Sequence, residues 1–158
     1  MSESTSNPEL IEKFWESVPP AWRQTRSHIH AIAVEKFKMT EEQFQVLRRI
    51  RKGSTSVSSL ANASQTSRSA VSKAVDSLVH KGLVVRQQDP SDRRNIPLAL
   101  TEEGQRVLDT IFNEAEAWLS TRFACLTSEQ TESLLLGMES LRIAFSKIQL
   151  PELPFIAI

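Results

Sequence analysis

The sequence is poor in the residues that build most catalytic and cofactor sites. Its 158 residues include one cysteine, four glycines and three histidines. The single cysteine, Cys125, excludes an intrachain disulfide and fits a reducing environment, the cytoplasm. We find no glycine-rich phosphate loop, no nucleophile elbow and no cluster with metal-ligand spacing. These absences predict that the protein is not an enzyme and that it needs no cofactor or metal.

Long apolar runs are also missing. No apolar run approaches the roughly 20 residues that a membrane-spanning helix requires, and the N-terminal MSESTSNPEL lacks the layout of a secretory signal. The chain is 40% hydrophobic and 24% charged, which is typical of a globular protein. Its length allows one core plus a dimerisation element, but not two independent domains. We therefore expect a cytoplasmic protein with no membrane partner.

The formal net charge is zero, but the charges are unevenly distributed. Residues 48–94 contain ten Lys or Arg and only three Asp, so this region carries a net charge of +7 and the rest of the chain −7. Such an asymmetry attracts phosphate to one face while the whole protein stays soluble. A solvated surface would also explain any single basic cluster.

The basic excess coincides with the most informative stretch, residues 64–104. A helix is predicted for Ser67–Lys81, because an apolar stripe recurs at helical spacing and Gly82 follows as a stop signal. Strands are predicted for Leu83–Val85 and Ile96–Leu100, with the turn Gln87–Asn95 between them. A helix with a polar, basic face beside a hairpin tipped with arginines suits a DNA duplex, because a helix fits the major groove and arginines reach phosphates or the narrow minor groove.

The residues before this helix complete a helix-turn-helix. Thr40 and Gln43 form a capping box that opens a helix ending near Arg51. A short strand at Ser54–Val57 and a small helix at Ser58–Ala63 follow, and the turn 64–66 leads into the next helix. Two short helices joined by a tight polar turn, the second with a polar face, are typical of this motif.

Helices also flank the motif on both sides. We predict one over about Pro8–Ser17, a break at Pro19-Pro20, and another from Pro20 to about Phe37 that buries Trp22. After the hairpin, Thr101 opens a long helix to about Phe123. Thr127 and Gln130 form a second capping box before the last helix, which Pro151 ends. These helices carry more apolar residues than a small winged-helix unit can cover, so they indicate packing against a second copy.

The stretch from Lys81 to Gly104 also carries a signature. Lys81-Gly82-Leu83-Val84 is followed by Asp92-Arg93-Arg94 and then by Leu100-Thr101-Glu102-Glu103-Gly104. This order resembles the wing signature "KGLV…D-x-R…LT-x-x-G" of the MarR family of bacterial transcription regulators, and the helix order agrees from about Ala21 to Ile148. Pro97 departs from the pattern, because a proline in the second wing strand costs a ladder hydrogen bond unless its position faces away from the partner strand.

The resemblance implies a fold and a domain organisation. The fold would be mainly α with a small β wing: a winged helix-turn-helix DNA-binding unit plus N- and C-terminal helices forming a dimerisation region. The N-terminal helices would occupy residues 1–39, the DNA-binding unit 40–104, and the C-terminal helices and tail 105–158. The apolar tail Pro151–Ile158 would dock on the partner subunit.

The resemblance also assigns DNA-contacting residues. Ser67–Lys81 would be the recognition helix, and the candidates to meet bases and phosphates are Gln65, Thr66, Ser67, Arg68, Ser69, Ser72 and Lys73. Arg68 is the best candidate for a guanine or a phosphate, because its guanidinium donates two parallel hydrogen bonds.

In the wing, Arg94 would enter the minor groove, oriented by Asp92, while Arg93 and Arg86 would reach phosphates. Alternatively, the pair of Asp92 and Arg94 is only a structural clasp of the hairpin. Arg48, Arg49 and Arg51 are either solvated helix surface or further phosphate contacts.

Many relatives in this family lose DNA affinity on binding small phenolic or other apolar anions. Here an effector pocket could be lined by Trp15, Trp22, Arg23, Arg26, His28 and His30. The alternative is that the tryptophans belong to the core and the histidines are solvated. Some members sense oxidants through a cysteine, but Cys125 lies outside the N-terminal region where that sensor usually sits, and an isolated cysteine most often behaves as a small hydrophobe.

These observations predict a homodimeric transcription regulator, a repressor, that binds double-stranded DNA at a pseudo-palindromic operator. Two recognition helices would enter successive major grooves about 34 Å apart, with the wings in the minor groove, and a small aromatic or apolar anion would release the DNA. The rival hypothesis is a winged helix that binds only proteins, which would not need the +7 concentration of charge.

Overall fold

The computed structural model describes residues 7–54, 56–87 and 97–146. Within these ranges it contains six helices and a two-stranded antiparallel sheet. The elements, in chain order, are α1 Pro8–Phe37, α2 Glu41–Arg51, α3 Val57–Ser64, α4 Arg68–His80, β1 Val84–Arg86, β2 Leu98–Leu100, α5 Glu102–Phe123 and α6 Ser128–Ser146. This confirms the predicted fold class, mainly α with a small β wing. None of the helices in the described ranges combines the length and apolarity that crossing a membrane would require.

The chain divides into two compact units, Met1–Glu116 and Ala117–Ile158. In the first unit, the second half of α1 packs with α2–α4, both strands and the first part of α5 around one core. The largest fully buried side chains there are Met39, Leu47, Leu60, Leu78, Leu108 and Ile111. The N-terminal helix thus supplies core residues to the same cluster as the helix-turn-helix.

The predicted break at Pro19-Pro20 is wrong, because α1 runs through both prolines as one helix of 30 residues. Each proline removes one hydrogen bond to the carbonyl four residues earlier, here those of Trp15 and Glu16. Both of these residues are exposed, so water can satisfy their carbonyls and the helix continues. The predicted burial of Trp22 is also wrong within the single chain, since Trp22 is 52% exposed.

The local signals around the helix-turn-helix are largely confirmed. Thr40 and Gln43 form the predicted capping box of α2, and a second one joins Ser56 and Ser59 at the start of α3. The predicted strand at Ser54–Val57 is wrong, because Ser56 caps α3 and Val57 is its first residue. The serine hydroxyls satisfy the free N–H groups of a helix start, which favours the helix over the strand.

The hairpin begins where α4 ends. Gly82 has a φ of +70°, as expected for a residue that leaves a helix in the left-handed region. The strands pair in register, Val84 opposite Leu100 and Arg86 opposite Leu98. Pro97 precedes β2, and its carbonyl accepts a hydrogen bond of 2.8 Å from the backbone N–H of Gln87. The proline therefore costs no ladder bond, because only its carbonyl faces the partner strand.

In the second unit, α6 begins with the predicted capping box. Gln130 accepts a hydrogen bond from the Thr127 N–H at 3.0 Å, and the Thr127 hydroxyl accepts one from the Gln130 N–H at 3.2 Å. No residue of α6 is buried within the described chain. Its exposed large apolar side chains are Leu134, Leu135, Leu136, Met138, Ile143 and Phe145.

Candidate nucleic-acid interface

The first turn of α4 presents an exposed polar surface. The Ser67 hydroxyl caps the helix by accepting a hydrogen bond of 3.2 Å from the Ala70 N–H, while Val71, Ala74, Val75 and Leu78 are buried on the opposite side. The structure brings the seven predicted recognition residues together at this end: Gln65, Thr66, Ser67, Arg68, Ser69 and Lys73 are exposed, and Ser72 is half-buried. A surface of hydroxyls, amide and cations matches the donors and acceptors of base edges and phosphates.

Arg68 is held by the preceding helix. Its guanidinium Nη2 donates a hydrogen bond to the hydroxyl of Ser58 on α3. This contact already restricts a long side chain, so Arg68 loses less conformational entropy when it binds DNA. Sequence analysis did not single out Ser58, since a serine in a serine-rich stretch gives no signal of its own.

Arg86, the predicted phosphate ligand on β1, pairs with α4. Its Nη2 lies 2.6 Å from Oδ1 of Asp76, and the two side chains are 41% and 59% exposed. The ion pair joins the base of the wing to the recognition helix. It also neutralises a cation at the base of the wing, and the charge count alone does not reveal this pairing.

The arginines at the end of α2 contact α5. The Arg51 guanidinium lies 4.7 Å from the centroid of the Phe112 ring and 2.9 Å from Oδ1 of Asp109. The Arg48 guanidinium lies 5.6 Å and 5.8 Å from the ring centroids of Phe44 and Phe112, and its partial burial lowers the pKa of Arg48. These cation–π contacts give both side chains a structural role.

Two of the six predicted effector residues converge on one carboxylate. Arg26 Nη2 lies 3.2 Å from Oε1 of Glu41, and His30 Nε2 lies 3.4 Å from its Oε2. Burial raises the pKa of Glu41, but hydrogen bonds from Gln45 and Arg26 and the nearby charges outweigh it, so the pKa of Glu41 lies below its ordinary value.

The other four effector candidates are exposed or half-buried. Trp15 and Trp22 are 63% and 52% exposed, Arg23 is exposed and His28 is half-buried. The alternative that these two tryptophans belong to the core is therefore wrong for the single chain.

The wing-tip candidates Asp92, Arg93 and Arg94 lie outside the described residues, as does the tail Pro151–Ile158. Their roles stay predictions. Cys125 is exposed rather than packed as a small hydrophobe, and its thiol donates a hydrogen bond of 3.2 Å to the Arg122 carbonyl. In the part of the chain that the structure describes, no group of His, Cys, Asp and Glu is arranged to hold a metal ion.

Comparison with known proteins decides the family. Residues 39–96, which span α2 to the hairpin, match the model of the MarR family. The HTH-type transcriptional regulator YdcH of Bacillus subtilis, described as uncharacterized, is 31% identical over 127 residues, which are 76% of this chain and 85% of that protein. The chain belongs to the MarR family.

Two further comparisons concern a repressor and a solved fold. The HTH-type transcriptional repressor MdtR of Bacillus subtilis is 33% identical over 99 residues, which are 62% of this MarR-family chain and 64% of the repressor. The structure of a mutant of S. aureus MepR bound to an oligodeoxyribonucleotide has a TM-score of 0.67 at 18% identity, with 84% of this chain and 97% of that chain covered. The MarR-family chain thus has the winged-helix fold of a family of transcription regulators.

Proposed function

We propose that this MarR-family regulator is a repressor that binds a pseudo-palindromic operator as a homodimer. The observation that carries the proposal is the exposed N-terminal face of α4, where Arg68, Ser69 and Lys73 stand free of the core. This face enters the major groove, and the hairpin tip with Arg94 reaches the adjacent minor groove. The repressor MdtR and the DNA-bound structure of MepR support the proposal.

Exposed apolar side chains support the homodimer. Helix α1 exposes Leu10, Ile11, Trp15 and Trp22, and α6 exposes a second set of six large apolar side chains. Monomeric proteins rarely leave extensive apolar surface in water. A second copy of the same chain covers these helices and places two recognition helices on one operator. We expect the protein to sediment as a dimer in analytical ultracentrifugation.

A gel-shift titration tests the operator hypothesis. The probe is the intergenic DNA upstream of the protein's own gene, and the control is unrelated DNA of equal length. We expect tight binding to the first and weak, strongly salt-dependent binding to the second. Equal, weak binding to both, with other upstream regions also negative, would contradict sequence-specific regulation.

We further propose that a small aromatic or apolar anion releases the DNA by binding near Arg26 and His30. Glu41 is the present partner of both side chains, so the carboxylate of an effector would compete with it. Addition of salicylate as a probe should weaken operator binding by the wild-type protein but not by Arg26→Ala. Equal weakening of both proteins, or of neither, would count against this site.

A further inference from the structure

The side-chain amide of Gln43 joins the start of α2 to the last turns of the recognition helix. Within α2, its Oε1 accepts a hydrogen bond of 3.1 Å from the Thr40 N–H, and its own N–H donates one of 3.2 Å to the Thr40 hydroxyl. This is the ordinary role of Gln in a capping box. A residue in that role needs no partner outside its own helix.

Gln43 nevertheless has two partners at the far end of the recognition helix. Its Nε2 donates a hydrogen bond of 2.9 Å to the hydroxyl of Ser77, and its Oε1 accepts a second one, of 3.3 Å, from Lys81 Nζ. The same ammonium donates a hydrogen bond of 2.9 Å to the carbonyl of Lys38. Lys38 ends α1 in the left-handed conformation, with a φ of +49°. One planar amide therefore connects the α2 start to two points of the recognition helix, and Lys81 extends the connection to the end of α1.

The geometry of these contacts restricts how α4 can move. Ser77 and Lys81 are four residues apart, so they lie one turn apart on the same face of the helix. The neighbouring apolar contacts of α4 are non-directional, whereas hydrogen bonds weaken steeply when their angles change. Two directional contacts along one face therefore oppose rotation and translation of α4 against the hydrophobic core.

We propose that Gln43 is a positioning residue that sets the orientation of the recognition helix on DNA. This inference rests on the proposed function. It concerns the contacts to base edges more than those to phosphates, because base recognition tolerates less displacement than the attraction between lysine or arginine and the phosphate backbone. Loss of the amide should lower the affinity for a specific site more than that for random DNA.

The test compares both affinities for the full chain. The specific probe is a duplex that the wild-type protein selects from a random pool, and the non-specific probe is a scrambled duplex of the same length. For Gln43→Leu we expect the ratio of specific to non-specific affinity to fall by about tenfold, the upper range for one net hydrogen bond. Partial unfolding would lower both affinities by the same factor and leave the ratio unchanged.

Gln130→Leu is the matched control. Gln130 completes the capping box of α6, so its replacement removes the same capping interaction far from α4 in sequence, and the affinity ratio should stay unchanged. Gln43→Glu should restore the ratio, since a carboxylate can cap α2, accept from Lys81 and accept a hydrogen bond from the Ser77 hydroxyl.

Ser77→Ala keeps the inference testable if Gln43→Leu does not fold. We expect it to lower the ratio as well, and the double variant should lose less than the product of the two single losses, as for residues in contact. An unchanged ratio in Gln43→Leu, or in Ser77→Ala when Gln43→Leu does not fold, overturns the inference and leaves the proposed function intact. A pool that yields no enriched sequence overturns the proposed function and this inference with it.

Discussion

The close packing of α5 against the wing makes Gly104→Ala the most decisive single substitution. A Cβ on Gly104 would overlap the carbonyl oxygen of Leu83 and lie 3.0 Å from its carbonyl carbon. That oxygen also accepts a hydrogen bond of 3.1 Å from the Thr101 N–H. The obstacle is backbone rather than a flexible side chain, so β1 or the start of α5 must shift to make room.

The expected change in the free energy of unfolding combines one stabilising and two destabilising contributions. Replacement of Gly by Ala inside a helix gains about 1 kcal/mol of stability through lower chain entropy. Overpacking costs about 1–3 kcal/mol, and weakening the Thr101–Leu83 hydrogen bond adds about 1 kcal/mol. We therefore expect a net loss of roughly 1–3 kcal/mol in the free energy of unfolding, and each kcal/mol lowers Tm by about 2–4 °C in a chain of this size.

Urea denaturation followed by circular dichroism measures this loss, with Gly137→Ala as the control. Gly137 is also helical, but nothing lies within 4 Å of a Cβ at its position in the chain, so this substitution should stabilise the protein by about 0.5–1 kcal/mol. If Gly104→Ala is as stable as Gly137→Ala, α5 does not pack closely against the Leu83 carbonyl.

Three further predictions concern charge. Asp76→Asn should release Arg86 from its ion pair, so DNA binding should tighten and the salt dependence of log K should steepen by about one phosphate contact; unchanged binding would show that Arg86 does not reach the duplex. Arg68→Ala should relax sequence preference more than it changes the salt slope, as measured by competition with mismatched duplexes; a smaller slope at constant preference would instead make Arg68 a phosphate ligand. The pKa of Glu41 is lower in the folded protein than its ordinary value. Its ionised form therefore stabilises the folded state at any pH above the unfolded pKa. This contribution is lost as the pH falls through the folded pKa. Glu41→Gln should therefore reduce the drop in urea midpoint between neutral and acidic pH, and an identical drop would refute the stabilising role of its ion pairs.

Local signals explain most of what sequence reasoning obtained correctly. The capping box of Thr40 and Gln43, the stop at Gly82 and the apolar stripe of α4 all depend on neighbours within a few residues in the chain. The break predicted at Pro19-Pro20 failed for the opposite reason. Proline statistics describe an average cost, and the rest of α1, anchored in the core through Ile32 and Ala33, keeps the helix continuous.

The candidate site was predictable in its composition but not in its contacts. The exposed face of α4 follows from helical spacing, and the resemblance to the MarR family assigned the seven recognition residues between 65 and 73 in advance. The partners of the candidate residues could not be named in advance. Ser58 lies ten residues from the recognition residue Arg68, and Glu41 lies fifteen from the effector candidate Arg26. No periodicity links residues on different helices.

Short-range patterns of capping, spacing and charge in the sequence were enough to predict the family, the polar face of the recognition helix and the order of the elements, apart from the break at Pro19-Pro20 and the strand at Ser54–Val57. The pairing of the polar groups, in contrast, depends on tertiary structure. The tertiary structure joins Arg86 to Asp76, Arg51 to Asp109 and Gln43 to Ser77. Such pairs form when packing of the apolar faces brings distant segments together, and the geometry of that packing belongs to the whole core rather than to any one segment.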